Sequence, residues 1–159
     1  MLYLAFEYGG DSLISKVIRW RTNSEFSHVE LVLDLDSCKC FSAQINEGLR
    51  YRDVSWLKDE RYWKLVPLRF VNEAAIRAEV ERLAASGAEY DLSGIVNFFA
   101  GKRQTDETRW FCSEVCTHLA QVGGAFTWVK DCGISPAALC SMALARDEVV
   151  SRYLATQSA

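Results

Sequence analysis

Two histidines are all the sequence offers among its 159 residues, so any chemistry that needs imidazole has few places to occur. The six cysteines, at positions 38, 40, 112, 116, 132 and 140, form no CxxC pair. A structural zinc site normally brings two such pairs, so neither a metal nor any other cofactor is expected. No apolar run approaches the roughly 18 residues of a membrane span; Leu92 to Ala100 comes nearest and ends in Gly101-Lys102-Arg103. Met1 to Tyr8 lacks the basic start, apolar core and small cleavage residues of a signal peptide. A cytoplasmic location is the resulting expectation, and with it free thiols that pack as small hydrophobes.

One-signed charge is also scarce. The net charge is -3 and no segment gathers Lys and Arg on one face, so a nucleic-acid partner is not expected. Arg19, Arg21, Arg50 and Arg52 read as solvated flanks, with a local anion site as the alternative.

What is present is ordinary globular material. Half the residues are apolar (50%) and a quarter are charged (25%), which suits a single domain over residues 1–159. Leu2 to Glu7 reads as a first strand, and Gly9-Gly10 breaks it before a helix to about Arg21, capped by Asp11 or Ser12. From His28 to Leu35 the chain alternates, with Val29, Leu31, Leu33 and Leu35 on one face and His28, Glu30, Val32 and Asp34 on the other. That second face is polar and is expected to line a cleft. Further strands are expected over Lys39 to Ile45, Leu49 to Val54 and Tyr62 to Phe70, where Pro67 argues for an edge position or a break.

The second half changes period. Ile76, Val80 and Leu83 mark a helix from Asn72 to Gly87, and a short apolar helix from Leu92 to Ala100 leads to a polar loop over Gly101 to Thr108. Val115, Leu119 and Val122 stripe a helix that opens over Trp110-Phe111-Cys112-Ser113-Glu114-Val115-Cys116, and Gly123-Gly124 ends it. Ser135-Pro136 starts another, and the tail after Asp147 is helical to about Thr156. Clustered strands followed by helices predict an α+β domain: an antiparallel sheet with segregated helices.

Cys112 and His28 are the candidate chemical pair. At a helix start, unpaired N–H groups and the macrodipole favour a thiolate, and the same amides can donate to an oxyanion. His118 lies six residues after Cys112, roughly 9 Å along the helix and about 240° around it, so it cannot serve that sulfur. His28 is then the only base available. A third group should orient its ring. A hairpin turning near Asp36 puts Gln44 opposite His28 and Ser42 one step diagonal, while Glu30 sits two residues along. Cys116, one turn after Cys112, reads as a buried packing residue.

Gly10-Asp11 before a helix, Ser27-His28-Val29 on a strand, and Trp110-Phe111-Cys112-Ser113-Glu114 opening a helix together resemble the circularly permuted branch of the NlpC family. These papain-like cysteine hydrolases include YiiX-like proteins and lecithin–retinol acyltransferase-like enzymes. The resemblance runs from the first strand to the end of the cysteine helix. It implies a permuted papain-like fold, a nucleophile at Cys112, a base at His28, and a third polar residue from the next strand, which falls on Ser42. Glutamate or histidine is common at that place, so serine is a departure, with Gln44 or Glu30 as replacements. The implied activity is peptidase or amidase chemistry through an acyl-thioenzyme. Its alternatives are a lipid acyl hydrolase or acyltransferase with an apolar channel near Phe98, Phe99 and Trp110, or a non-catalytic binding module. The substrate would be a peptide, amide or acyl ester, and the compact form suggests a phage as a source.

Overall fold

Apolar side chains at alternate positions produce the central strands. In the computed structural model, which describes residues 1–10, 12–44, 47–90, 109–130 and 133–157, five strands form one sheet. They are β1 (Tyr3–Tyr8), β2 (Phe26–Asp34), β3 (Lys39–Gln44), β4 (Gly48–Asp53) and β5 (Trp63–Pro67). Their order is β4-β3-β2-β1-β5, and each neighbouring pair is antiparallel. Pro67 closes β5 at the sheet edge, where its missing N–H removes no interior ladder bond.

Among the described residues four helices accompany the sheet: α1 (Leu13–Thr22) between β1 and β2, and after the sheet α2 (Glu73–Ser86), α3 (Cys112–Val122) and α4 (Pro136–Gln157). The architecture is therefore α+β, with an antiparallel sheet and segregated helices. A parallel bridge also joins β6 (Glu89–Tyr90) to β7 (Arg109–Trp110); at two residues each, these are too short to leave a period in the sequence. The expected helix over 92–100, the loop over 101–108, and with them Phe98 and Phe99, lie outside the described residues. Among the described residues no helix is long and apolar enough to cross a membrane.

Local signals set the helix ends. Ser12 caps α1 by accepting from the Ser15 amide at 3.0 Å, and Asn72 caps α2 by accepting from the Ala75 amide at 3.1 Å. Gly87 ends α2 in the left-handed region with φ 67°, a conformation that favours glycine. Gly10, at φ +87°, serves a further purpose. A Cβ there would lie 2.7 Å from Ser15 Oγ and 3.1 Å from Ser27 Oγ. The bare backbone lets the first turn of α1 press against β2 one residue before His28.

The main core joins one face of the sheet to α2, α3 and α4. Leu4, Phe6, Val29, Leu31 and Phe41 meet Ile76, Val80, Leu83, Val115, Leu119 and Leu139, each such burial stabilising by roughly 1.5–3 kcal/mol relative to exposure. Val122 departs from the expected stripe and is 37% exposed, because α3 ends there against α2. A Cβ at the next residue, Gly123, would come within 2.5 Å of Ile76 Cδ1.

The reverse face of the sheet corrects an expectation. Ala5, Val32 and Cys40 form a second core with Val54, Leu57 and Trp63, residues contributed by the β4–β5 connection and the start of β5. Glu30 and Val32 are both fully buried. The polar face of β2 is thus roofed rather than open to a cleft, and Glu30 sits inside it.

Candidate active site

The pairing of β2 with β3 covers Leu31 to Phe41, Val32 to Cys40 and Asp34 to Lys39, and goes no further toward the start of β2. Beyond it, side chains satisfy the Val29 carbonyl: Ser42 Oγ donates to it at 2.7 Å and Cys116 Sγ at 3.7 Å. Helix α3 therefore meets β2 where the ladder lapses. Cys112, one turn earlier, projects from nearly the same helix face, about 40° around and 6 Å back. That puts it near enough for its charge to act on the His28 ring.

The start of α3 is pinned from outside. Glu114 accepts from the Phe111 amide at 3.2 Å through one oxygen and from the Gly133 amide at 2.9 Å through the other. Ser113 Oγ donates to the Ile134 carbonyl. Phe111 is the extended N-cap residue and Trp110 belongs to β7, so the helix begins at Cys112 rather than at Trp110. The short bridge to β6 holds Trp110 extended. Cys112 thus occupies the first helical position, where backbone N–H groups have no partner within the helix.

His28 lies within a polar cluster. Its Nε2 is 3.1 Å from Glu30 Oε1 and 2.8 Å from Gln44 Nε2. Glu30 Oε1 also accepts from Gln44 Nε2 at 3.0 Å and from Arg52 Nη1 at 2.6 Å. A charged ring donates to Glu30, whereas a neutral ring with bare Nε2 accepts from Gln44, so each protonation state has a partner. With Nε2 engaged, Nδ1 is the nitrogen left for sulfur. Burial alone would lower the His28 pKa. The charge and hydrogen bond of Cys112, then those of Glu30, overcome it and raise the pKa from 6.5 to about 10.

The remaining candidates fall elsewhere. Ser42 is fully buried with its hydroxyl given to Val29, so Glu30 and Gln44, not Ser42, hold the ring. His118 turns to α2, where its Nε2 is 2.8 Å from Glu79 Oε1. Three of the four arginines are engaged separately: Arg19 donates to the Gly10 carbonyl, Arg50 pairs with Glu47 and Arg52 with Glu30, while Arg21 is exposed on α1. Desolvation pushes the thiols of Cys40, Cys116 and Cys140 above their ordinary value. Cys112 is itself 1% exposed. Among the described residues no cluster of His, Cys, Asp and Glu could hold a metal ion.

Arg52 is the member that sequence reasoning missed. It stands two strands from His28, across β3 from β2. The available signal was register: Arg52 lies opposite Cys40, which lies opposite Val32, one alternate position from Glu30. An open cleft of about 660 Å³ is lined by Thr22 to Phe26 on one side and Ser135, Ala137, Ala138 and Ser141 on the other; no residue of the cluster lines it. Phe26 is two residues from His28, and Ser135 follows the Ile134 carbonyl that anchors Ser113.

Comparison of the chain with protein-family models, with curated proteins and with solved structures finds no match.

Proposed function

We propose that the protein is a cysteine hydrolase of the permuted papain-like type, acting on an amide or ester carbonyl. What supports this reading is that His28 is held by Glu30 and Gln44 while the charge of Cys112 acts on the same ring. The Cys112 thiolate attacks the carbonyl carbon and forms a C–S bond, while the oxyanion takes N–H donors at the start of α3. Collapse breaks the C–N or C–O bond, and the leaving group takes its proton from His28. Water, losing a proton to His28, then cleaves the thioester, releases the acid and restores the thiol. Glu30, rather than Ser42, supplies the third group. A carboxylate orients the ring and stabilises its charged form, which a serine hydroxyl does less well.

The burial of Cys112 favours a second reading, a binding module that keeps the fold without turnover. Small-probe alkylation separates the two. At pH 6 an ordinary free thiol is only about 0.3% thiolate. Iodoacetamide at that pH should label Cys112 first, and His28→Ala should slow the labelling by about 10²-fold. Equal, sluggish labelling of all six cysteines, unchanged by His28→Ala, would leave the binding module.

A further inference from the structure

Helix α1 turns outward three side chains that folding ordinarily buries. Leu13 is 81% exposed, Val17 41% and Trp20 80%. At 100° per residue they fall within about 60° of one another, and Lys16 and Arg21 stand about 40° beyond either edge of that stripe. Both cations are exposed, and Leu13–Thr22 contains no Asp or Glu.

The element carrying this stripe is well anchored. Ser12 caps it, Asn23 closes it in the left-handed conformation, and Thr22 Oγ1 donates to the Ile18 carbonyl at 2.8 Å. Ile18, on the inward side, is 5% exposed. Arg19 folds back to the Gly10 carbonyl at 3.4 Å, which leaves Lys16 and Arg21 as the outward charges.

The charge pattern selects the occupant. A second copy meeting α1 face to face would set Lys16 and Arg21 against the same cations, with no acid on either helix to answer them. An anionic lipid surface answers both features: the phosphates take the cations, and an apolar stripe ending in tryptophan suits the boundary between headgroup and acyl chain. We infer that α1 docks the protein on anionic bilayers, with Leu13, Val17 and Trp20 entering the interface. The last residue of the helix, Thr22, lines the open cleft from about 170° around the helix, on the side away from the stripe. This surface goes beyond the hydrolase reading and does not depend on it.

Co-sedimentation of the full chain with vesicles tests this. The protein should pellet with phosphatidylcholine vesicles containing phosphatidylglycerol, stay in solution with phosphatidylcholine alone, and be released by added salt. Trp20→Ser should weaken binding. Lys16→Gln with Arg21→Gln should weaken it about 25-fold, at roughly fivefold per cation, and neither variant should melt differently from wild type. Cys112→Ser should bind like wild type, which keeps this result separate from the fate of the catalytic reading. Several outcomes overturn the docking surface: no preference for phosphatidylglycerol, full binding by the α1 variants, or a lipid-free dimer that Trp20→Ser dissolves. Binding to polyglutamate as strong as to vesicles and indifferent to Trp20→Ser would also do so, by assigning the helix to acidic polymers.

Discussion

Gln44 Nε2 lies 2.8 Å from His28 Nε2, and the same amide donates to Glu30 Oε1 at 3.0 Å. One residue thus bridges the base and the carboxylate that biases it. The arrangement separates two roles: Gln44 serves the neutral ring and Glu30 the charged one. Glu30→Gln should lower the His28 pKa from about 10 by at least roughly one unit, the smaller end of what an opposite charge at contact supplies. The sign for stability follows from a raised pKa. What His28 contributes is fully present below about pH 6.5 and is lost as pH rises toward 10. Glu30→Gln should therefore flatten the alkaline decline in stability, and Gln44→Ala should leave it in place. An NMR titration of the His28 ring, with melting curves from pH 6 to 10, reads both.

Arg52 neutralises a carboxylate that has no exposed surface. Glu30 is fully buried, and its second oxygen has no hydrogen-bond partner among the described residues. Arg52→Met alone leaves that carboxylate with His28 as its remaining charged partner and should cost about 2 kcal/mol, the worth of a charged hydrogen bond. Adding Glu30→Met removes the charge and should recover much of the loss. Urea unfolding of the two variants settles the order; a double variant less stable than Arg52→Met would contradict it.

Ser42 should behave as a structural residue. Its hydroxyl satisfies the Val29 carbonyl where the β2–β3 ladder stops. Ser42→Ala should reduce stability by roughly 1–2 kcal/mol, while the pH dependence of Cys112 alkylation stays as in wild type. A shift of that profile would instead place Ser42 on the imidazole.

On the far side of α3, Glu79 accepts from Arg82 at 2.7 Å and sits 2.8 Å from His118. Arg82 first, then His118, outweigh burial and hold its pKa near 2 rather than 4.5. A depressed carboxylate stabilises the fold fully above its unfolded pKa, and the benefit fades as pH falls from about 4.5 to 2. Glu79→Gln should remove on the order of 2 kcal/mol at neutral pH and little at pH 2. Thermal melts across that range provide the check.

The fold was legible wherever one residue carries a local rule. Ile76, Val80 and Leu83 with their Asn72 cap marked α2, and alternation after His28 marked β2. Pro67 marked an edge that β5 occupies. In the candidate site, the hairpin turn near Asp36 placed Gln44 opposite His28 from register alone. The burial of Glu30 was not legible, because it depends on the second core, where Leu57 and Trp63 close a face that the alternation of β2 leaves polar. Arg52 escaped for a similar reason: its meeting with Glu30 spans two strand crossings, and no short spacing encodes that. Val122 followed the helical period yet lies exposed, since period says nothing about where a neighbouring helix ends.

The roof over Glu30 also decides how the cluster responds to its surroundings. Counterions reach charges on a protein surface and screen them within about 10 Å at ordinary ionic strength, but Glu30 offers them no surface. The part of the bias on His28 that comes from Glu30 is therefore weakly screened, while Lys16 and Arg21 on α1 are open to the medium. One molecule thus carries an electrostatic element that salt touches little and another governed by it, and ionic strength varies the second far more than the first.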